Sequence, residues 1–406
     1  MTDDNQAPDQ SAEHRPTSDD PPSPTQPGEE QRRGGAAESQ LPGPVRVSSP
    51  SGVLAVVPHL LGFHPSRSLV VLGVTGPADR VAMVFRYDLP DPPDAELAAD
   101  IATHATEVLS RQEVPAAIVV GYGPAELVTP VVDQVAGSLL HAGLAIREAL
   151  RAEGGRFWSA LCPDPACCPP EGVSYDPCSH PASAVLNDAG LDAYPDRAAL
   201  ARTLEPPPGT ARAIRQATTR ALRRIDKLLA QAEQDGLRPA SALGDAGCAA
   251  VRQAIGRYRT GREITDRGRL AFLAVCLADL RVRDDAWARM EPEHRRRHLR
   301  LWTDVVTAAA PEFVPAPASL LAFTAWQCGE GALANVAIER ALGADPRYSM
   351  AQLLARAVQS GLPPSSARLP MTPEEVASSY EQGGGQGSAD RPPAAGTDRP
   401  EEGQVA

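Results

Sequence analysis

Hydrophobic periodicity changes once along this chain, at the segment Glu205–Gly209, which holds three consecutive prolines. Proline fixes φ and removes a backbone donor, so neither a helix interior nor a central strand runs through such a segment. Before it, apolar runs of strand length alternate with stretches of helical period. After it, every stretch has helical period and no strand signal. This pattern predicts an α/β N-terminal domain with a mixed sheet at 47–205, a Pro-rich linker at 206–209 and an all-α domain of helical hairpins at 210–380. Residues 1–46 and 381–406 are polar, Pro- and Gly-rich and lack an apolar period, so they read as disordered tails.

Local signals place the elements. Ser49 and Pro50 form an N-cap followed by proline at the first helical position, leading into the apolar stretch Val53–Leu61. Ser68–Val74 and Val81–Tyr87 read as two strands of a hairpin turned at Gly76-Pro77. Asp94 is placed to cap a helix whose inner face is Leu97, Ile101, Ala105, Val108 and Leu109. A third strand follows at Ala116–Val120, then a helix expected from Pro130 with Val131, Val132, Val135, Leu139 and Leu140 inside. Ala145–Arg151 and Arg156–Leu161 read as a second hairpin turned at Gly154-Gly155. In the second half Thr210 is expected to cap a long helix, and further helices are expected near 243–258, 265–282, 292–308, 317–328, 332–343 and 349–360. Leu321, Ala322, Ala334, Ile338, Ala341 and Pro346 have tetratricopeptide-like spacing. Only one such pair is present, where a free-standing solenoid needs about three.

Composition narrows the function classes. There are 39 Lys+Arg against 51 Asp+Glu, a net charge of −12, but the charge is unevenly placed. Residues 48–209 hold nine basic and 19 acidic groups, whereas residues 210–300 hold 20 and 11. An acidic α/β half and a basic helical half are therefore expected to dock on each other, with nucleic acid as the rival occupant of the basic face. Lys227 is the one lysine, all other basic residues being Arg. The best apolar stretch, Val53–Leu61, is about half of what a bilayer span needs. Met1–Asn5 carries no secretory start. The expectation is a cytoplasmic protein with no membrane partner and reduced cysteines.

Three groups of residues could carry chemistry. His64, Ser66 and Ser68 lie between a helix and a strand. With Arg86, Tyr122, Arg156 and Trp158 near predicted strand ends, they form the candidate ligand site, since open α/β sheets bind ligands at strand ends. The plainer reading of His64 is a helix-end residue beside the Gly62 C-cap and Pro65. Gly121 and Gly123 suggest a phosphate-binding turn, but Glu126 stands where the third glycine would be, and no Walker-type Gly-Lys-Ser/Thr exists. Second, Cys162, Cys167, Cys168, Cys178 and His180 are the densest set of potential metal ligands. The Cys-x2-Cys knuckle is missing, and Pro163, Pro165, Pro169 and Pro170 make a stiff loop holding small thiols the preferred reading, so no metal is assigned. Third, Arg220, Arg223, Arg224 and Lys227 share one helix face, and His294–His298 forms a second basic cluster. Interleaved aromatics for stacking bases are lacking.

Four stretches together, Leu60–Gly73, Arg156–Gly172, Leu301–Asp304 and Ala322–Pro346, resemble the actinobacterial family termed domain of unknown function 4192, over about 45–365. The resemblance implies an actinobacterial cytosolic protein and supplies no activity, cofactor or catalytic residue. The sequence therefore points to a two-domain small-ligand or protein-partner binding or adaptor protein without a recognisable catalytic set. The alternatives are a hydrolase or transferase using the loops around His64 and Cys162–Cys168, and nucleic-acid binding through the basic helical half. No cofactor is assigned.

Overall fold

The computed structural model describes residues 49–76, 79–366 and 372–382. The tails expected at 1–46 and 381–406 lie outside the described residues, apart from the last two residues of the final helix. Helix α1 (Pro50–Leu61) opens as its sequence dictates. The Ser49 side chain accepts the Gly52 N–H, and Gly62, at φ 74°, ends the helix in the left-handed region. Strands β1 (Ser68–Thr75) and β2 (Arg80–Asp88) form an antiparallel hairpin. Helix α2 (Ala95–Arg111) follows, its first N–H groups received by the Asp94 carboxylate. Strand β3 (Ala116–Tyr122) returns antiparallel to β1. Helix α3 (Ala125–His141) then crosses to β4 (Ala145–Glu153), which lies parallel to β3. Strands β5 (Arg156–Ser159) and β6 (Val173–Ser174) complete a six-stranded mixed sheet of order β2-β1-β3-β4-β5-β6.

Every residue of β1 but the last, and all of β3, is buried, which accounts for their unbroken apolar runs. Leu69, Val71, Ala117 and Val119 face α2 and α3. Val70, Leu72, Val74, Ile118, Val120 and Leu150 face the other way, into an apolar cluster shared with α1 and the helical region. Short helices α4 (Pro181–Asp188) and α5 (Arg197–Arg202) precede the proline segment. The helical region follows as α6 (Ala211–Gln234), α7 (Pro239–Arg259), α8 (Arg267–Cys276), α9 (Leu280–Ala288), α10 (Arg295–Ala308), α11 (Pro315–Gln327), α12 (Gly331–Ala344), α13 (Ser349–Gln359) and α14 (Pro373–Gln382). Helix α11 is buried almost all round and packs on α10 and α12. Leu321, Ala322, Ala334, Ile338 and Ala341 lie inside, as their spacing requires. No helix among the described residues is long and apolar enough to cross a membrane.

Polar contacts add to the shared apolar cluster where the first half meets α12 and α13. Arg197 pairs with Glu339. On α2, His104 Nε2 donates to the Gln359 carbonyl (2.6 Å), Arg111 to that of Ser360 (3.0 Å) and Gln112 to that of Gly361 (3.2 Å), so three side chains receive the end of α13. With its proton on Nε2, His104 accepts the Tyr87 hydroxyl at Nδ1 (2.7 Å), which satisfies both ring nitrogens.

Several expectations need correction. Helix α3 starts at Ala125 and carries Pro130 inside it, because burial of Leu127 and Val128 against the sheet offsets the hydrogen bond that Pro130 cannot make. Leu140 is exposed rather than core. The single helix expected at 265–282 is two helices, α8 and α9, with Asp279 capping the second by accepting the Val282 N–H. Thr210 precedes α6 but makes no side-chain cap; its hydroxyl donates to the Pro207 carbonyl.

Candidate functional site

Because β1 runs antiparallel to both neighbours, its first residue lies beside the last residues of β2 and β3. Ser68 pairs with Asp88 on one side and Tyr122 on the other, so all three share one end and one face of the sheet. Arg86 lies on the same face, opposite Val70. Its guanidinium donates to Asp88 Oδ1 (2.6 and 2.5 Å) and stacks over the Phe63 ring at 5.3 Å. Burial lowers the Arg86 pKa, and the Asp88 carboxylate opposes that shift. The Ser68 hydroxyl is fully enclosed and has no hydrogen-bond partner among the described residues. The same is true of the Tyr122 hydroxyl, which burial pushes well above the ordinary tyrosine range.

His64 sits next to Phe63 in the loop between α1 and β1. Its backbone N–H donates to the Tyr194 carbonyl, and burial, with His59 nearby, lowers the imidazole pKa. No hydrogen bond joins it to Ser66 or Ser68, and Ser66 is exposed. His59, not His64, reaches a distant carbonyl, that of Leu191 (2.7 Å). The Gly121–Glu126 turn is explained by packing. A Cβ on Gly121 would lie 2.8 Å from Val128 and 2.9 Å from Val132, so glycine lets α3 approach β3. Gly123 has φ 142°, and Glu126 occupies the first turn of α3.

Arg156 and Trp158 are not part of this group. Phe157 faces the Tyr122 side, through the register Tyr122–Ala152–Phe157, so its two neighbours point to the opposite face. There they hold the cysteine loop. Arg156 donates to the carbonyls of Glu171 and Gly172, and Trp158 Nε1 donates to that of Pro170. Of the five candidate ligands, Cys162, Cys167 and Cys168 come together. His180 instead caps α4 by accepting the Ala182 N–H at Nδ1, and Cys178 lies outside the group. All seven cysteines are free.

On α6, Arg220, Arg223, Arg224 and Lys227 are exposed. Arg224 lies over the Phe272 ring at 4.0 Å, and the other three make no ion pair with any described residue. Asp226 lies one turn from Arg223, at the edge of this stripe, whereas Leu222, 40% exposed, is turned away from it. The second basic cluster is of another kind. Arg296 and Arg300 pair with Glu330 and Glu263, and His298 is buried with Nε2 unpartnered among the described residues, burial pushing its pKa down to about 4.

One feature escaped the sequence reading. Buried Asp285 receives both Nε and an Nη of Arg289 (2.8 Å each), beside a cavity of about 70 Å³ lined by Cys248, Arg281 and Val376. The i, i+4 spacing of opposite charges was the available signal.

Residues 50–365 match the family described as "Domain of unknown function (DUF4192)". No curated protein and no solved structure matches the chain.

Proposed function

The chain belongs to this family of unknown function, and from that premise we propose that it is a partner-binding protein rather than an enzyme, and that it docks an acidic protein surface on the exposed face of α6. The observation that carries this reading is the set Arg220, Arg223 and Lys227, exposed and without an ion pair to any described residue. Elsewhere many arginines are paired, from Arg67 with Asp91 to Arg300 with Glu263. The stripe does not serve the packing of the two halves, which rests on the shared apolar cluster and on contacts such as Arg197 with Glu339. Asp226, one turn from Arg223 on the exposed side of α6, favours protein over nucleic acid. A phosphate backbone is repelled by an aspartate at the edge of the stripe, whereas a protein surface can offer that aspartate a cation or a donor. Free cysteines suit the reducing cytoplasm as the place of action, and the near-total replacement of Lys by Arg suits an actinobacterial source.

The test uses fluorescence anisotropy with two labelled probes, a helical peptide of alternating Glu and Leu turns and a short DNA duplex. The full chain is expected to bind the peptide in a salt-dependent manner. The triple variant R220E/R223E/K227E is expected to lose at least about tenfold in affinity, since each cation removed weakens steering and contact alike. Tighter binding of DNA by the wild-type chain would transfer the face to nucleic acid. Equal peptide affinity in the triple variant would remove the stripe from the site.

A further inference from the structure

Three of the seven cysteines converge. The sulfurs of Cys162, Cys167 and Cys168 all lie within 4.8 Å of one another. The loop that carries them is fixed at several points. The Asp164 carbonyl accepts the N–H groups of Cys167 (3.1 Å) and Cys168 (2.7 Å), and its carboxylate accepts that of Ala166 (2.9 Å). Pro163, Pro165, Pro169 and Pro170 restrict φ along the segment. At its far end the Pro170, Glu171 and Gly172 carbonyls are held by Trp158 and Arg156. Gly172, at φ +81°, lies so close to the Trp158 ring that a Cβ would sit 2.6 Å from it, and the Arg151 guanidinium also stacks on that ring, at 3.4 Å. This scaffolding does not serve core packing, since Cys167 is exposed and Cys162 and Cys168 are half-buried. What it does achieve is to hold three soft donor atoms together.

We propose that Cys162, Cys167 and Cys168 form a three-thiolate site for Zn²⁺, with the fourth coordination position left to solvent or to an added ligand. Thiolates are preferred zinc ligands, and tetrahedral coordination at about 2.3 Å per Zn–S bond needs sulfurs about 3.8 Å apart. The trio has only to contract by about 1 Å or less to meet that figure, a change within side-chain torsions. Cys178 and His180 are outside the set: the His180 ring already accepts a backbone N–H at Nδ1, and Cys178 belongs to the Asp176 turn. Binding forms three Zn–S bonds and releases up to three thiol protons to solvent, with no change of oxidation state.

The experiment takes the reduced full chain, stripped of metal, and titrates it with Co²⁺ as a spectroscopic stand-in, then with Zn²⁺. A thiolate-to-cobalt charge-transfer band that saturates stoichiometrically and is bleached by zinc is expected. Cys162→Ser, Cys167→Ser and Cys168→Ser should each weaken zinc binding by at least about tenfold. Cys178→Ser should bind as wild type. Far-UV circular dichroism of each variant checks that the fold is retained, as the loop's position outside the core predicts. Absence of the charge-transfer band, or a Cys178→Ser variant as impaired as the other three, would overturn the proposal.

Discussion

Gly361 joins the end of α13 to the face of α2, and replacing it should destabilise the fold. The residue adopts φ +64°, and an added Cβ would lie 2.4 Å from Cγ1 and 3.2 Å from Cγ2 of Val108, which is 2% exposed. Two penalties follow for Gly361→Ala. A left-handed backbone costs an L-residue about 1–2 kcal/mol, and overpacking a filled site costs about 1–3 kcal/mol, so the expected loss is about 2–5 kcal/mol. Val108→Ala separates the two, because it removes both Cγ atoms and leaves Cβ at 3.4 Å, an ordinary contact. Alone, Val108→Ala loses two buried methyl groups at about 0.8 kcal/mol each plus a cavity term. In that background Gly361→Ala should cost only the backbone strain, giving a favourable coupling of about 1–3 kcal/mol. Urea unfolding of the four proteins, followed by circular dichroism, measures the cycle. If Gly361→Ala costs the same in both backgrounds, the steric argument is wrong. If it lowers amide protection only around 359–361 and leaves the urea midpoint unchanged, the contact is not part of the cooperative unit.

Asp285→Ala should cost about 3–5 kcal/mol in the same assay, because it strands the Arg289 guanidinium beside a buried site; a loss under about 1 kcal/mol would place the pair in solvent. Gly121→Ala should destabilise by about 1–3 kcal/mol without any φ penalty, since α3 must retreat from β3; a neutral outcome would mean that this helix has room to move. Burial depresses the His298 pKa to about 4, with His294 and Arg259 adding to it. Between about pH 6.5 and 4 the unfolded chain therefore binds a proton that the folded chain refuses. Stability falls as pH falls through that window, by about 3 kcal/mol from this group. His298→Leu should flatten the pH dependence of the urea midpoint there, and an unchanged slope would contradict the assignment.

Local signals carried the α/β half well, because its elements are bounded by chemistry that acts within a few residues. Ser49 and Gly62 cap α1, Asp94 caps α2, and the glycines at 154 and 155, both at positive φ, turn β4 into β5. Pro130 misled for the opposite reason: tertiary burial of Leu127 and Val128 outweighed a local helix-start signal, and the helix begins five residues earlier, at Ala125. Short α4, α5 and β6 were missed because two to eight residues hold too little periodicity to register.

Composition and pattern alone determined the change from mixed sheet to helices, the unbroken buried strands and the basic face of α6, since each follows from the period or charge of one contiguous segment. Which residues meet was decided only by the tertiary structure. The pairing of β1 with both β2 and β3 brought Ser68, Arg86 and Tyr122 to one face, and the register from β3 through β4 to β5 sent Arg156 and Trp158 to the other. Loop closure against Trp158 drew three cysteines together and left Cys178 and His180 outside. A strand's side-chain direction reverses with every residue, and a loop's path depends on anchors far along the chain. No spacing within a single segment contains either piece of information.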